Sequence, residues 1–320
     1  MTCNHETASR GVFVAETIDN RQLCREHFRL VVRAESFPPS RPGQFVQVQC
    51  RPLDEPAGAH EVDWSADSPP ALTQPELTER EPMLRRPLSL ADRRDLADGG
   101  VELEFIYRVV GAGTHWLGEV RPGQKLSLLG PLGNGFTIRE AKPAAVLIGG
   151  GVGIPPMIYL AHALAAAGKT VVAFSGVREA SLLPLSLACD AVVHDQAKPS
   201  ACVSEFAALG IPSVVATDDG SLGYHGFVSN ALGEWIERTK PWPDDLVAYC
   251  CGPEALMKAT ADVCGAHGIE CQLALERHMA CGMGTCQSCI VKIRDDSAQG
   301  WSFKLCCTDG PVFNARDVLW

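Results

Sequence analysis

Cys281, Cys286 and Cys289 stand as C-x4-C-x2-C within "MACGMGTCQSC", and Cys306 and Cys307 follow downstream. This spacing suits a [2Fe–2S] cluster, because iron bridged by sulfide prefers soft, anionic thiolate donors. Gly282 and Gly284 let the loop take positive φ and bring main-chain N–H groups close to sulfur. Those dipoles would offset the cluster's negative charge and tune its potential. Two plainer readings compete. A structural zinc site more often uses paired C-x2-C knuckles, and free thiols often serve as small core hydrophobes. Neighbours on an extended chain face opposite ways, so one of Cys306 and Cys307 is expected to reach the iron. Spacing does not choose between them.

A second group of residues fits a dinucleotide. "GGGVGIPPM" (Gly149 to Met157) lies between an apolar run and a helical pattern, where a pyrophosphate can sit over a helix N-terminus. Gly150, Gly151 and Gly153 are its candidates for binding a nicotinamide dinucleotide, although the stretch departs from G-x-G-x-x-G and also reads as a tight turn. Cys251, Gly252 and Pro253 end another strand-like run, at the edge where ligands of such sheets collect. Cys251 either lines a nicotinamide site or packs. Nearer the N-terminus, "RRPLSL" offers Arg86 and Ser89, and "IYRVVGAGTHWL" offers Tyr107, Arg108, Gly113 and Thr114. Solvated arginines and strand packing would explain these too, but two cations beside a Gly-Thr turn favour an anionic cofactor. A nicotinamide moves two electrons together and a [2Fe–2S] centre moves one, so a flavin is needed to convert between them.

Positioning these groups takes three kinds of scaffold. "HFRLVVRAE", "GQFVQVQC", "VELEFIYRVV" and "QKLSLLG" are short β runs with turn residues between them, which predicts a small antiparallel barrel over residues 1–142. From 143 to 269, "AAVLIGGG", "TVVAFSGV", "AVVHD", "SVVATDDG" and "DLVAYCCGP" alternate with helical patterns such as "IPPMIYLAHALAAAGK" and "EALMKATADVCGAHG". That alternation predicts a Rossmann-like parallel sheet covered on both faces. Residues 270–320 are too few for an ordinary apolar core and call for a staple such as a metal centre. The fold class expected is therefore multi-domain, β followed by α/β, with a small C-terminal cluster domain.

Bulk properties narrow the function classes. The 320 residues are 46% hydrophobic and 21% charged, with a net charge of −10, which argues against nucleic acid as a partner. No apolar run approaches a membrane span, and the N-terminus lacks a secretory pattern, so a cytoplasmic location is expected. There fourteen cysteines favour metal or redox roles over a disulfide framework. Segment 54–82 carries eight acids against one base, together with five prolines, and reads as an exposed, poorly ordered insertion.

In order along the chain, "PGQFV", "RRPLS", "YRVVGAGT", "GPLGNGF", "GGGVGIPP", "TDDGSLGYHGFV", "CGP", "MACGMGTCQSC" and "CTDGPVF" resemble the ferredoxin–NADP reductase superfamily. Within it they resemble the electron-transfer subunits of class 1B dihydroorotate dehydrogenases. The resemblance covers nearly the whole chain. It implies that Arg86, Pro87, Leu88 and Ser89 contact FAD, as do Ile106, Tyr107, Arg108, Gly113 and Thr114. It also selects Cys307 as the ligand that joins Cys281, Cys286 and Cys289, because the terminal ligand directly precedes x-D-G-P-V-F. The implied partner is an FMN-containing catalytic subunit, in a heterotetramer of two plus two. Electrons from dihydroorotate would travel by way of the cluster and FAD to NAD+ in pyrimidine biosynthesis. No catalytic acid or base is then required in this chain. The sequence departs from the pattern in the acidic insertion, in the long Cys289–Cys307 interval, and in His278, where arginine is usual. Other readings are a related subunit serving a hydrogenase, a sulfide dehydrogenase or a ferredoxin:NAD(P)+ transhydrogenase, and a zinc-stapled binding protein.

Overall fold

A computed structural model describes residues 10–53, 84–188 and 193–320. The expected acidic insertion, 54–82, lies outside the described residues. Seven antiparallel strands form the first sheet: β1 (Gly11–Cys24), β2 (His27–Ala34), β3 (Phe45–Val48), β4 (Arg86–Ser89), β5 (Asp92–Asp95), β6 (Val101–Arg108) and β7 (Lys125–Leu132). Their order is β4-β3-β7-β1-β2-β6-β5. β1 alternates between buried and exposed positions along its first half, the period-two signature of a strand with one wet face. The sheet curls until β4 approaches β6, enclosing Leu30, Val32, Val46, Leu103, Phe105 and Leu128. Helix α1 (Ala112–Glu119) links β6 to β7.

The second sheet begins with β8 (Ala144–Gly150), β9 (Thr170–Val177), β10 (Ser213–Thr217), β11 (Tyr224–His225), β12 (Leu246–Cys251) and β13 (Glu270–Ala274). All six are parallel and run in the order β11-β10-β9-β8-β12-β13. β12 is buried at every position, as a strand covered on both faces requires. The cover is α2 (Ile154–Ala166), the short α3 (Ser204–Ala207), α4 (Val228–Thr239) and α5 (Glu254–Ala266). Pro155 and Pro156 occupy the first turn of α2, where a missing N–H breaks no helical bond. The chain order reverses between β8 and β12, which makes their C-terminal ends the switch point where such sheets bind ligands.

The tail adds β14 (Ile290–Arg294), β15 (Trp301–Leu305), β16 (Val312–Asn314) and β17 (Val318–Leu319). β14, β15 and β17 form a small antiparallel sheet, while β16 joins the second sheet antiparallel to β13. Two strands lying past the expected boundary at 269/270 therefore belong to the second sheet. "AVVHD" differs from expectation: of it, 193–195 are described and are not strand. The free edge of β9 is taken instead by β10, whose Ser213–Thr217 are all buried. Among the described residues, no helix is long and apolar enough to cross a membrane.

Candidate electron-transfer site

The loop that ends β8 meets the loop that ends β12 at very close range. A Cβ on Gly153 would overlap the Cys251 carbonyl, so only glycine lets the N-terminus of α2 rest on β12. Facing this junction is a cavity of about 670 Å³, lined by Gly150, Gly151 and Pro253 from the parallel sheet and by His27 and Arg108 from the curled sheet. Gly153, Cys251 and Gly252 are not among its lining residues and build the wall behind it. Cys251 is 5% exposed, and burial holds its thiol well above the usual range.

Lining residues that sequence reasoning did not place here include His27, Asp218, Phe227 and Glu276, and Arg178 lines the cavity too. Asp218 carried a signal, since it directly follows β10 at the carboxyl edge. Glu276 reaches into the cavity, still wetted but ringed by protein, and that desolvation raises its carboxyl pKa. His27 Nδ1 lies 3.2 Å from the Arg25 carbonyl, while the buried Nε2 has no hydrogen-bond partner. Its pKa is lowered, first by burial and further by Arg108, against the opposing pull of the Arg25 carbonyl and Glu26.

The flavin candidates divide by direction. Arg85 is a brace: its guanidinium donates to the Ser127 carbonyl at 2.9 Å and to Ser127 Oγ at 2.8 Å. Arg86 lies instead over Gly113, where a Cβ would meet its Nε at 3.0 Å. Thr114 Oγ1 accepts the Val110 and Gly111 N–H groups at 2.9 and 3.1 Å, shaping the entry to α1. The structure thus gathers Arg86, Gly113 and Thr114 at one edge of the curled sheet, outside the cavity. Leu88 and Tyr107 point into the sheet's core. The Tyr107 hydroxyl donates to Asn20 at 3.1 Å, so this side chain faces away from the surface. Ile106 packs against the parallel-sheet side, and Arg108 is paired with Glu26 at 2.6 Å. Pro87 and Ser89 lie on β4 opposite Gln47 and Phe45.

In the tail, Cys281 Sγ accepts the Met283 and Cys286 N–H groups at 3.3 and 3.4 Å. Gly282 at φ +69° and Gly284 at φ +90° produce that wrapped loop. Cys286 is exposed, and hydrogen bonds from Ser288 and Cys281 lower its thiol to about 6. The Cys307 thiol is raised to about 12, chiefly by burial and then by its hydrogen bond with Cys289, and the Gly284 N–H pulls the other way. Cys306 is buried too, and its N–H donates to the Cys289 carbonyl at 3.0 Å. Among the described residues, no three metal-ligating side chains converge on one ion. Cys281 interacts with Cys286 and Cys289 with Cys307, and four thiols are the donor set that a [2Fe–2S] cluster takes. His278 is exposed and contributes its carbonyl, which accepts from Ser288 Oγ at 3.3 Å.

The tail is clamped to the curled sheet. Asn134, in "GPLGNGF", donates to the Asp309 and Val312 carbonyls at 3.0 and 2.9 Å and accepts the Val312 N–H at 2.9 Å. Asp309 in turn accepts the Leu305 N–H at 2.7 Å, closing the turn that bears Cys306 and Cys307. Cys289, Cys306 and Cys307 share one apolar cluster with Phe45, Leu129 and Leu132.

A curled antiparallel sheet, a parallel sheet with a cavity at its switch point, and a cysteine unit clamped between them define a ferredoxin-reductase-type electron-transfer protein. The fold matches the solved NADH-dependent reduced ferredoxin–NADP oxidoreductase over 96% of this chain and 90% of that one, with a TM-score of 0.71 at 24% identity. It also matches a ferredoxin NADP+ reductase from Neisseria gonorrhoeae over 80% of this chain and 92% of that one, with a TM-score of 0.56 at 17% identity. Residues 276–319 match the iron–sulfur cluster binding domain of dihydroorotate dehydrogenase B. A curated relative from Caldanaerobacter subterraneus, the electron transfer subunit of dihydroorotate dehydrogenase B (NAD(+)), is 31% identical over 96% of this chain and 98% of its own length. The subunit of the same name from Enterococcus faecalis is 36% identical over 74% of this chain and 81% of its own. The chain belongs to the family of dihydroorotate dehydrogenase B electron transfer subunits.

Proposed function

We propose that this chain carries electrons between NAD+ and an FMN-containing catalytic subunit that oxidises dihydroorotate, in a cytoplasmic assembly of two copies of each. The observation that carries this reading is the paired thiol arrangement clamped to the curled sheet by Asn134. FAD and a [2Fe–2S] cluster, when bound, supply the two-electron and one-electron chemistry that joins the two ends.

The residues divide the work. Cys281, Cys286, Cys289 and Cys307 would hold the two irons of the cluster. Arg86, Gly113 and Thr114 bind FAD, with Pro87, Leu88, Ser89, Ile106, Tyr107 and Arg108 shaping that edge, partly through main chain. Gly150, Gly151 and Pro253 receive NAD in the cavity, backed by Gly153, Cys251 and Gly252. Asp218 and Arg178 line the cavity together: the carboxylate at the end of β10 can accept from a ribose hydroxyl, as NAD requires, whereas the Arg178 guanidinium suits a 2′-phosphate, and the preference for NAD follows the NAD(+) named for the relatives. The chain divides into the units 1–142, 143–269 and 270–320, with β13 and β16 lending their backbones to the middle sheet.

The reading is tested by purifying the chain with its catalytic partner under anaerobic conditions. Dihydroorotate should bleach both flavin and cluster absorption, and NAD+ should restore them. A complex that dihydroorotate leaves unbleached would contradict it.

A further inference from the structure

Gln47 has no partner where it needs one. It lies on β3, is 0% exposed, and neither Oε1 nor Nε2 makes a hydrogen bond. A buried carboxamide left in this state carries its full desolvation cost, so the arrangement calls for a group that arrives later. Its surroundings say which. Phe45 and Gln47 project from the same face of β3, and Phe45 joins the apolar cluster that holds Cys289, Cys306 and Cys307. A Cβ on Gly282 would stand 2.8 Å from Gln47 Cγ, 2.9 Å from Nε2 and 3.1 Å from Leu132 Cδ1. The carboxamide therefore sits directly behind the loop that leaves Cys281. On its other side Gln47 pairs with Pro87 of β4, the strand that carries the flavin-binding residues. One orphaned amide thus lies against the cysteine loop, on a strand that pairs with a proposed flavin-contact residue.

We propose that Gln47 would donate an N–H to the sulfur of a cluster held by the Cys281 loop and thereby raise that cluster's reduction potential. The inference rests on the cluster assignment above. The chemistry is that of any donor beside an anionic centre: reduction adds negative charge, and a fixed N–H stabilises the reduced form more than the oxidised one. Main-chain N–H groups already serve Cys281 from the solvent side, through Met283 and Cys286. Gln47 supplies a donor from the protein side, where the dielectric is low and each dipole counts for more. Gly282 is the residue that permits it, because any side chain there would press on the carboxamide.

The test is a spectroelectrochemical titration of the purified full chain, followed by visible absorption and by the EPR signal of the reduced cluster. Gln47→Met keeps length and packing but removes both polar atoms; Gln47→Asn keeps polarity but withdraws the donor by one methylene. Both variants should load the cluster, and both should disfavour its reduction by about tenfold relative to the parent, the scale of one hydrogen bond to an anion. For a one-electron couple that is about 59 mV lower, with altered EPR g-values. Unchanged potential and g-values in either folded variant would overturn the inference and assign the space behind Gly282 to an ordered water. A parent chain that shows no cluster signal would instead sink the cluster assignment on which Gln47 depends.

Discussion

At the scale of single residues, the account turns on how few atoms decide what the tail can hold. Gly282 combines a φ of +69° with a Cβ direction blocked by Gln47 and Leu132. Gly282→Ala should therefore reduce iron per chain and lower stability by about 1–3 kcal/mol, the usual cost of overpacking plus a strained φ; iron assay and thermal unfolding measure both. His27 makes a pH prediction. Its folded pKa is lowered by burial, while the unfolded imidazole titrates at about 6.5. The unfolded chain thus binds the extra proton first, and stability present above about 6.5 falls as pH drops from there toward the folded value. His27→Leu should flatten that part of the curve of melting temperature against pH. The cysteine spacing was legible from sequence because it is a covalent constraint of the cluster. The role of Gln47 was not, because an interior glutamine on a strand announces itself only once both its polar atoms are seen without partners.

At the scale of elements, the loop between β7 and β8 matters as much as the cysteines. Asn134 makes three hydrogen bonds to the segment that follows Cys307. Asn134→Ala should cost about 1–3 kcal/mol, since it strands buried main-chain groups. It should also speed amide hydrogen exchange at 309–314 while leaving β8 and β12 protected. Strands β8, β9, β10 and β12 were readable as apolar runs, because a parallel sheet buried on both faces leaves no other pattern. The described part of "AVVHD", 193–195, is not strand, and β9 pairs with β10 on that side. Helix α1 and strands β4 and β5 left little signal, because four-residue strands and a glycine-containing eight-residue helix show barely a period.

At the scale of the whole molecule, the three units pack on one another. The cavity is lined from both sheets, and the tail shares its apolar cluster with β3 and β7. That shared packing gives the sites fixed relations, as transfer across them demands. Family, fold class and cluster domain were legible from motifs carried in order. The depth of Cys251 and the inward turn of Tyr107 were not, because a motif records which residues recur and leaves open which way each side chain faces.

The central claim is that electrons pass between this chain and its catalytic partner only through the cysteine unit. Cys286 is the exposed member of the set, so Cys286→Ala removes a proposed ligand without opening the core. In the assembled complex, NADH oxidation by a hydride-accepting dye should persist near the parent rate, while dihydroorotate-dependent NAD+ reduction should fall by more than about 100-fold, the scale on which single essential groups act. Undiminished dihydroorotate-dependent turnover in that variant would contradict the account.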